Sequence, residues 1–130
     1  MDFLINKIID NFFFGNTIEE IWNSCPNKML WEAIDANCAV AISHADICSL
    51  LENSDSVIVF PEPLPALYLG ASPAFVSFQS CNDNMLKETR LWKVEPIYLA
   101  SATLSWLIAM TPENTLSGSQ LCVMVKNINN

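Results

Sequence analysis

The stretch that most constrains the fold is residues 26–42. Placed on a helix at 100° per residue, Val40, Ala33, Leu30, Ala41, Ile34, Cys38, Trp31 and Ile42 fall in one broad arc. Lys28, Glu32, Asp35, Ala36 and Ala39 fill the remainder. An apolar arc of roughly 200° suits a helix covered on two sides. The spacing therefore predicts a central helix over 26–42, with Asn37 in its apolar arc and its amide paired to a buried group.

The segments around it read as covering layers. Residues 2–13 carry Phe3, Leu4, Ile5, Ile8, Ile9, Phe12 and Phe13 at helical spacing, and Gly15 offers a stop. Periodic apolar residues are core, so the Phe12–Phe14 run is expected to pack inside. Thr17 and Glu20 have capping-box spacing at the head of a short helix through Asn23. Ser43 and Asp46 repeat that spacing ahead of a helix over 44–51.

The pattern changes near Asn53. Ser54, Asp55 and Ser56 are turn formers, and Val57–Phe60 is a β-branched run that reads as a strand. Pro61, Pro63 and Pro65 would each remove a ladder donor, so 61–65 is expected to be a stiff extended connector that exposes Glu62. Further strands are expected at 67–69, 75–79, 87–94 and 121–125. Residues 97–110 alternate at Ser101, Thr103 and Ser105 as a strand would, but the apolar run is long and follows Pro96, so its length predicts a helix. Residues 111–113 would then start another turn, closed near Gly118. The expected architecture is α+β over a single domain, 1–130. A helical half, about 1–52, packs on a mostly antiparallel sheet from the strand-rich half, about 53–130, which also holds the long helix.

Composition narrows the function. Fourteen acids against six bases give a net charge of −8, which disfavours binding to nucleic acid and favours basic partners. The five cysteines show no CxxC spacing and read as reduced thiols in a cytoplasmic protein. No apolar run reaches the ~18 residues of a membrane span. Three glycines cannot form a phosphate-binding loop. The one histidine, His44, has Cys48 one turn away, but no zinc spacing accompanies the pair. Catalytic residues, metal and cofactor are therefore not expected.

Charge distribution is the feature above background. Between Glu19 and Glu62 the acids are Glu19, Glu20, Glu32, Asp35, Asp46, Glu52, Asp55 and Glu62, against Lys28 alone. The bases gather instead at Lys87, Arg90 and Lys93. A solvated face that maintains solubility would account for this; so would a docking surface for a basic protein. The docking surface is expected to hold Glu32, Asp35, Glu52, Asp55, Glu62, Glu19 and Glu20, with Trp22, Trp31, Trp92 and Tyr68 as possible anchors. This profile is similar to that of small cytosolic inhibitors, immunity proteins that neutralise bacterial toxins such as basic nuclease domains. The competing classes are an enzyme or small-ligand binder with a pocket between helices and sheet, and a structural subunit of a larger assembly.

The unspaced cysteines and the ample apolar fraction predict a fold that stands without metal or disulfide. Its melting temperature is expected to be unchanged by a chelator or by a reductant, and scanning calorimetry in the presence of each checks this.

Overall fold

A computed structural model describes residues 2–13, 17–53, 57–70, 76–78 and 96–127. The helices are α1 (Asp2–Phe12), α2 (Ile18–Ser24), α3 (His44–Glu52) and α4 (Leu64–Tyr68), with a 3-10 turn at Leu30–Ala33. The strands are β1 (Ala39–Ala41), β2 (Val57–Pro61), β3 (Val76–Phe78), β4 (Ile97–Ser101), β5 (Trp106–Asn114) and β6 (Gln120–Lys126). They form one sheet in the order β1-β6-β5-β4-β2-β3. Every described pairing is antiparallel. The α+β class follows, with helices on both faces of the sheet.

Strand periodicity builds two cores. Ile58, Phe60, Tyr98, Ala100, Leu107, Ala109 and Val125 face one side, as the alternation of side chains requires. There they meet Ile8, Ile9, Phe12 and Phe13 of the N-terminal segment, Ile21, Cys25, Leu30 and Leu64. The intervening residues Val57, Val59, Ile97, Leu99, Trp106, Ile108, Met110 and Cys122 face the other side and meet Ile47 and Leu51 of α3. Phe60 and Tyr98 are direct cross-strand partners with stacked rings, centroids 5.2 Å apart.

The predicted caps are in place. Thr17 accepts a hydrogen bond from the Glu20 amide, and Ser43 accepts one from the Asp46 amide. Phe12 and Phe13 are buried, as their periodicity requires; Phe14 lies outside the described residues. Strands are also found where β2, β3 and β6 were expected. The strand expected at 87–94 lies outside the described residues.

Five expectations are corrected. Residues 26–42 are not a helix: Lys28 takes a left-handed φ of 58°, the 3-10 turn follows, and the chain then enters β1. Asp35 accepts from the Asn37 amide at 2.9 Å and sets a turn ahead of the strand. Asn37 is exposed, not held in an apolar arc. Residues 97–110 are a hairpin of β4 and β5, not a long helix. Both strands are buried on two faces, so the apolar run lacks the polar alternation of a surface strand. Their turn is held by Ser101, whose hydroxyl accepts from the Ser105 amide at 2.7 Å, and by Leu104 at φ 57°. Residues 111–113 continue β5 instead of starting a helix. The segment read as connector and strand, 61–69, is the end of β2 followed by α4.

The two-sided burial of β5 sets a stability prediction. Leu107→Ala removes a fully buried side chain and is expected to cost about 2–5 kcal/mol. Leu116→Ala, at an exposed site in the β5–β6 turn, is expected to stay within about 0.5 kcal/mol of wild type. Urea unfolding of the two variants checks the contrast.

Candidate functional site

The acids singled out from the sequence separate into two groups once the chain is folded. Glu62 and Glu32 are committed to internal hydrogen bonds. Strand parity carries Glu62, two residues past Phe60, toward the core that holds Ile58 and Phe60. One carboxylate oxygen accepts from the Leu30 amide at 2.6 Å and the Leu64 amide at 3.4 Å. The other accepts from the Tyr98 hydroxyl. That hydroxyl in turn accepts from the Trp31 amide at 3.0 Å. Glu62 thus ties the 3-10 turn, the start of α4 and strand β4 to one carboxyl group.

Electrostatics at this hub follow from its burial. Desolvation pushes the Glu62 carboxyl up to about 7, against the three hydrogen bonds that favour its ionised form. Burial, with the neighbouring Glu62 charge, holds the Tyr98 hydroxyl well above its ordinary value. The other titratable groups in reach are Glu32, whose charge opposes that of Glu62, and the Cys25 thiol, pushed up by burial. Beside the hub, the buried indole Nε1 of Trp31 has no hydrogen-bond partner among the described residues.

Glu32 performs a related local task. Its carboxylate accepts from the Asn27 amide at 3.1 Å, the Asn27 side chain at 3.1 Å and the Met29 amide at 3.0 Å. It closes the loop that enters the 3-10 turn. The placement of Glu32 and Asp35 one turn apart on a helix is therefore corrected, because no helix is there. Glu32 and Glu62 thus each hold local structure through their carboxylates.

The remaining described acids are exposed. Glu19 and Glu20 lie in the first turn of α2, Asp35 precedes β1, Asp46 lies in the first turn of α3 and Glu52 ends that helix. Glu20 also accepts from the Thr17 hydroxyl at 3.1 Å. Glu19, Asp46 and Glu52 make no ion pair among the described residues. Asp55 lies outside those residues, as do Lys87, Arg90, Lys93 and Trp92. Lys28, the one base in 19–62, is turned inward: its ammonium donates to the Trp22 carbonyl at 2.7 Å and sits 5.3 Å over the indole. On the same flank Trp22 stacks on Tyr68 with centroids 4.4 Å apart.

His44 begins α3 and is exposed, while Cys48 is buried. The His44 Nε2 lies 2.8 Å from the Gln120 side-chain oxygen, and the Gln120 amide donates to the Thr111 carbonyl at 2.9 Å. These residues, with Pro112, Asn114 and Gly118, line an open groove of about 390 Å³. No three of His, Cys, Asp and Glu gather into a metal-binding group among the described residues. Cys25, Cys38, Cys48 and Cys122 are free thiols. Burial pushes the Cys122 thiol to about 11, which suppresses its nucleophilic form at neutral pH. No described helix is long and apolar enough to cross a membrane.

No family model matches the chain, and no match is found among curated proteins or solved structures. The fold defines a class, an antiparallel sheet covered by helices on both faces, and the site must be read from its own chemistry.

The hub carries a pH prediction. Between 4.5 and about 7 the folded protein retains the Glu62 proton that the unfolded chain has released. The contribution is complete below pH 4.5 and is lost as pH rises through about 7. Stability is expected to fall on the order of 2–3 kcal/mol over that interval from this group. In Glu62→Gln this component is expected to vanish, and urea titrations at pH 5, 6, 7 and 8 compare the two proteins.

Proposed function

We propose that this protein is a cytoplasmic inhibitor that acts by binding a basic protein, of the immunity-protein kind that neutralises a bacterial toxin such as a nuclease domain. The observation that carries the reading is the free state of its exposed acids. Glu19, Asp46 and Glu52 have no ion-pair partner among the described residues, and the one base of the 19–62 segment is spent on Trp22. A chain of net charge −8 whose Glu19, Asp46 and Glu52 carboxylates make no ion pair among the described residues attracts a basic partner and speeds the encounter. Glu19, Glu20, Asp35, Asp46 and Glu52 are the acids this reading assigns to the partner, with Asp55 expected beside them. Burial of Cys122 and Cys48 removes two thiols from the list of accessible nucleophiles, which suits action by binding.

The test is capture of a basic toxin domain from the native host, followed by measurement of its activity with the protein present. Inhibition at equimolar protein is expected, with an association rate that falls as salt rises from 50 to 500 mM, since screening shortens the reach of charge to a few ångströms. The double variant Asp46→Lys, Glu52→Lys is expected to slow association at least tenfold at low salt and much less at high salt. Inhibition with neither salt dependence nor sensitivity to these substitutions would place the binding surface elsewhere. Failure to inhibit any basic protein of the host would overturn the reading.

A further inference from the structure

We propose that the free edge of β1 (Ala39–Ala41) is the docking strand for an extended, lysine- or arginine-bearing segment of the basic partner, which would add a strand to the sheet. This rests on the reading of the protein as a binder of a basic protein and assigns that binding its place.

The argument starts from the ladder. β1 ends the strand order and pairs only with β6 among the described residues. The Ile42 amide donates to the Cys122 carbonyl at 2.9 Å. In an antiparallel pair such bonded positions alternate, so Val40 shares the next bonded pair with Met124. The N–H and C=O groups of Ala39 and Ala41 therefore project from the outer edge. Natural edges of this kind are guarded by lysine, proline or a bulge. Residues 39–42 are Ala-Val-Ala-Ile and contain neither lysine nor proline, and their pairing with β6 runs without a register shift. Val40 is 54% exposed and Ala41 is exposed, so neither face of the edge is covered at these positions. The alanine side chains leave room for a second backbone to approach.

Charge chooses the occupant. Asp35 stands before the strand and Asp46 after it, both exposed. Lys28 is held on Trp22, and Lys126 of β6, one residue past the Ala39–Val125 pair, is the exposed base beside the start of the strand. A second copy paired antiparallel on this edge would bring the two copies' Asp35 and Asp46 toward each other, which like-charge repulsion opposes. A strand with lysine or arginine at its ends would meet both acids as counter-charges.

The probe is an acetylated, amidated heptapeptide of alternating lysine and valine, with its glutamate–valine counterpart as control. It is titrated into the isotope-labelled protein and followed by amide NMR. The Ala39 and Ala41 amides are expected to shift and to exchange with solvent at least tenfold more slowly with the lysine peptide, and to be unmoved by the glutamate peptide. Ala41→Pro removes one outward N–H while leaving the bonds to β6, and is expected to weaken peptide binding at least tenfold. Asp35→Asn with Asp46→Asn removes both charges yet keeps a side-chain oxygen that can accept from the Asn37 amide, and is expected to do the same, which keeps the test decisive should the proline variant lose its native melting transition. Shifts confined to other residues, equal binding of both peptides, or sedimentation showing a dimer paired through this edge would overturn the proposal. A toxin inhibited equally by wild type and Ala41→Pro would overturn it too while leaving the inhibitor reading standing.

Discussion

The constraint on which the rest depends is that the middle of the sheet is dry on both faces. β2 and β4 bury four and five consecutive residues, and β5 buries its first six. Antiparallel strands more often keep one wet face. Here the N-terminal helices cover one side and α3 covers the other. Polar chemistry is thereby excluded from the centre and pushed to strand ends, turns and the sheet's edges. Thr111 is one buried exception on β5, and its hydroxyl is satisfied by donating to the Leu121 carbonyl at 2.8 Å.

Glu62 is the costly exception, and its geometry explains why it is tolerated. A carboxylate withdrawn from water needs donors, and three elements supply them: the Leu30 amide, the Leu64 amide and the Tyr98 hydroxyl. The same bonds attach the loop around the 3-10 turn to the sheet, a loop that contains little regular structure of its own. That loop is the direct approach to β1, so the geometry of the edge strand is set in part from the hub behind it. Removing the charge while keeping the shape would relieve a desolvation cost; removing the acceptors altogether would leave the Leu30 amide without this partner, which is the more damaging change.

Two-sided burial also decides what was legible in the sequence. The caps at Thr17 and Ser43 were readable because capping is local chemistry, a side-chain oxygen three residues from an amide. The buried Phe12 and Phe13 followed from a single period. Residues 97–110 misled for the opposite reason: a strand buried on both faces has no polar alternate, and two such strands joined by four residues look like one long apolar run. Residues 26–42 misled because an arc spanning more than half a helix hardly differs from no arc at all. The signals that count there were Asn27, Lys28 and Asp35, which set turns, and β1 is held by pairing with a strand more than eighty residues away. Glu62 was misplaced because three prolines suggested exposure. The parity of Ile58 and Phe60 carried the information that it points inward. Tyr98 was missed because it sat inside the expected helix, and nothing local marks its hydroxyl as a partner for a residue in another strand.

The same partition bears on why acidity falls where it does. An acid in the middle of this sheet would need a set of donors like that around Glu62, and each such set costs ordered structure. Acids at the ends of α2 and α3 need none, because solvent and the positive end of a helix already favour those in a first turn. Glu19, Glu20 and Asp46 are all in first turns, so helix stability alone accounts for part of their placement. Asp35 likewise contributes a turn through the Asn37 amide. Glu52 has no such local role: it lies at the C-terminal end of α3, where the helix dipole disfavours a negative charge. An exposed acid placed against the local electrostatic preference, with no ion-pair partner among the described residues, is the one whose presence the fold does not explain. It therefore weighs more than the first-turn acids in favour of an external basic partner.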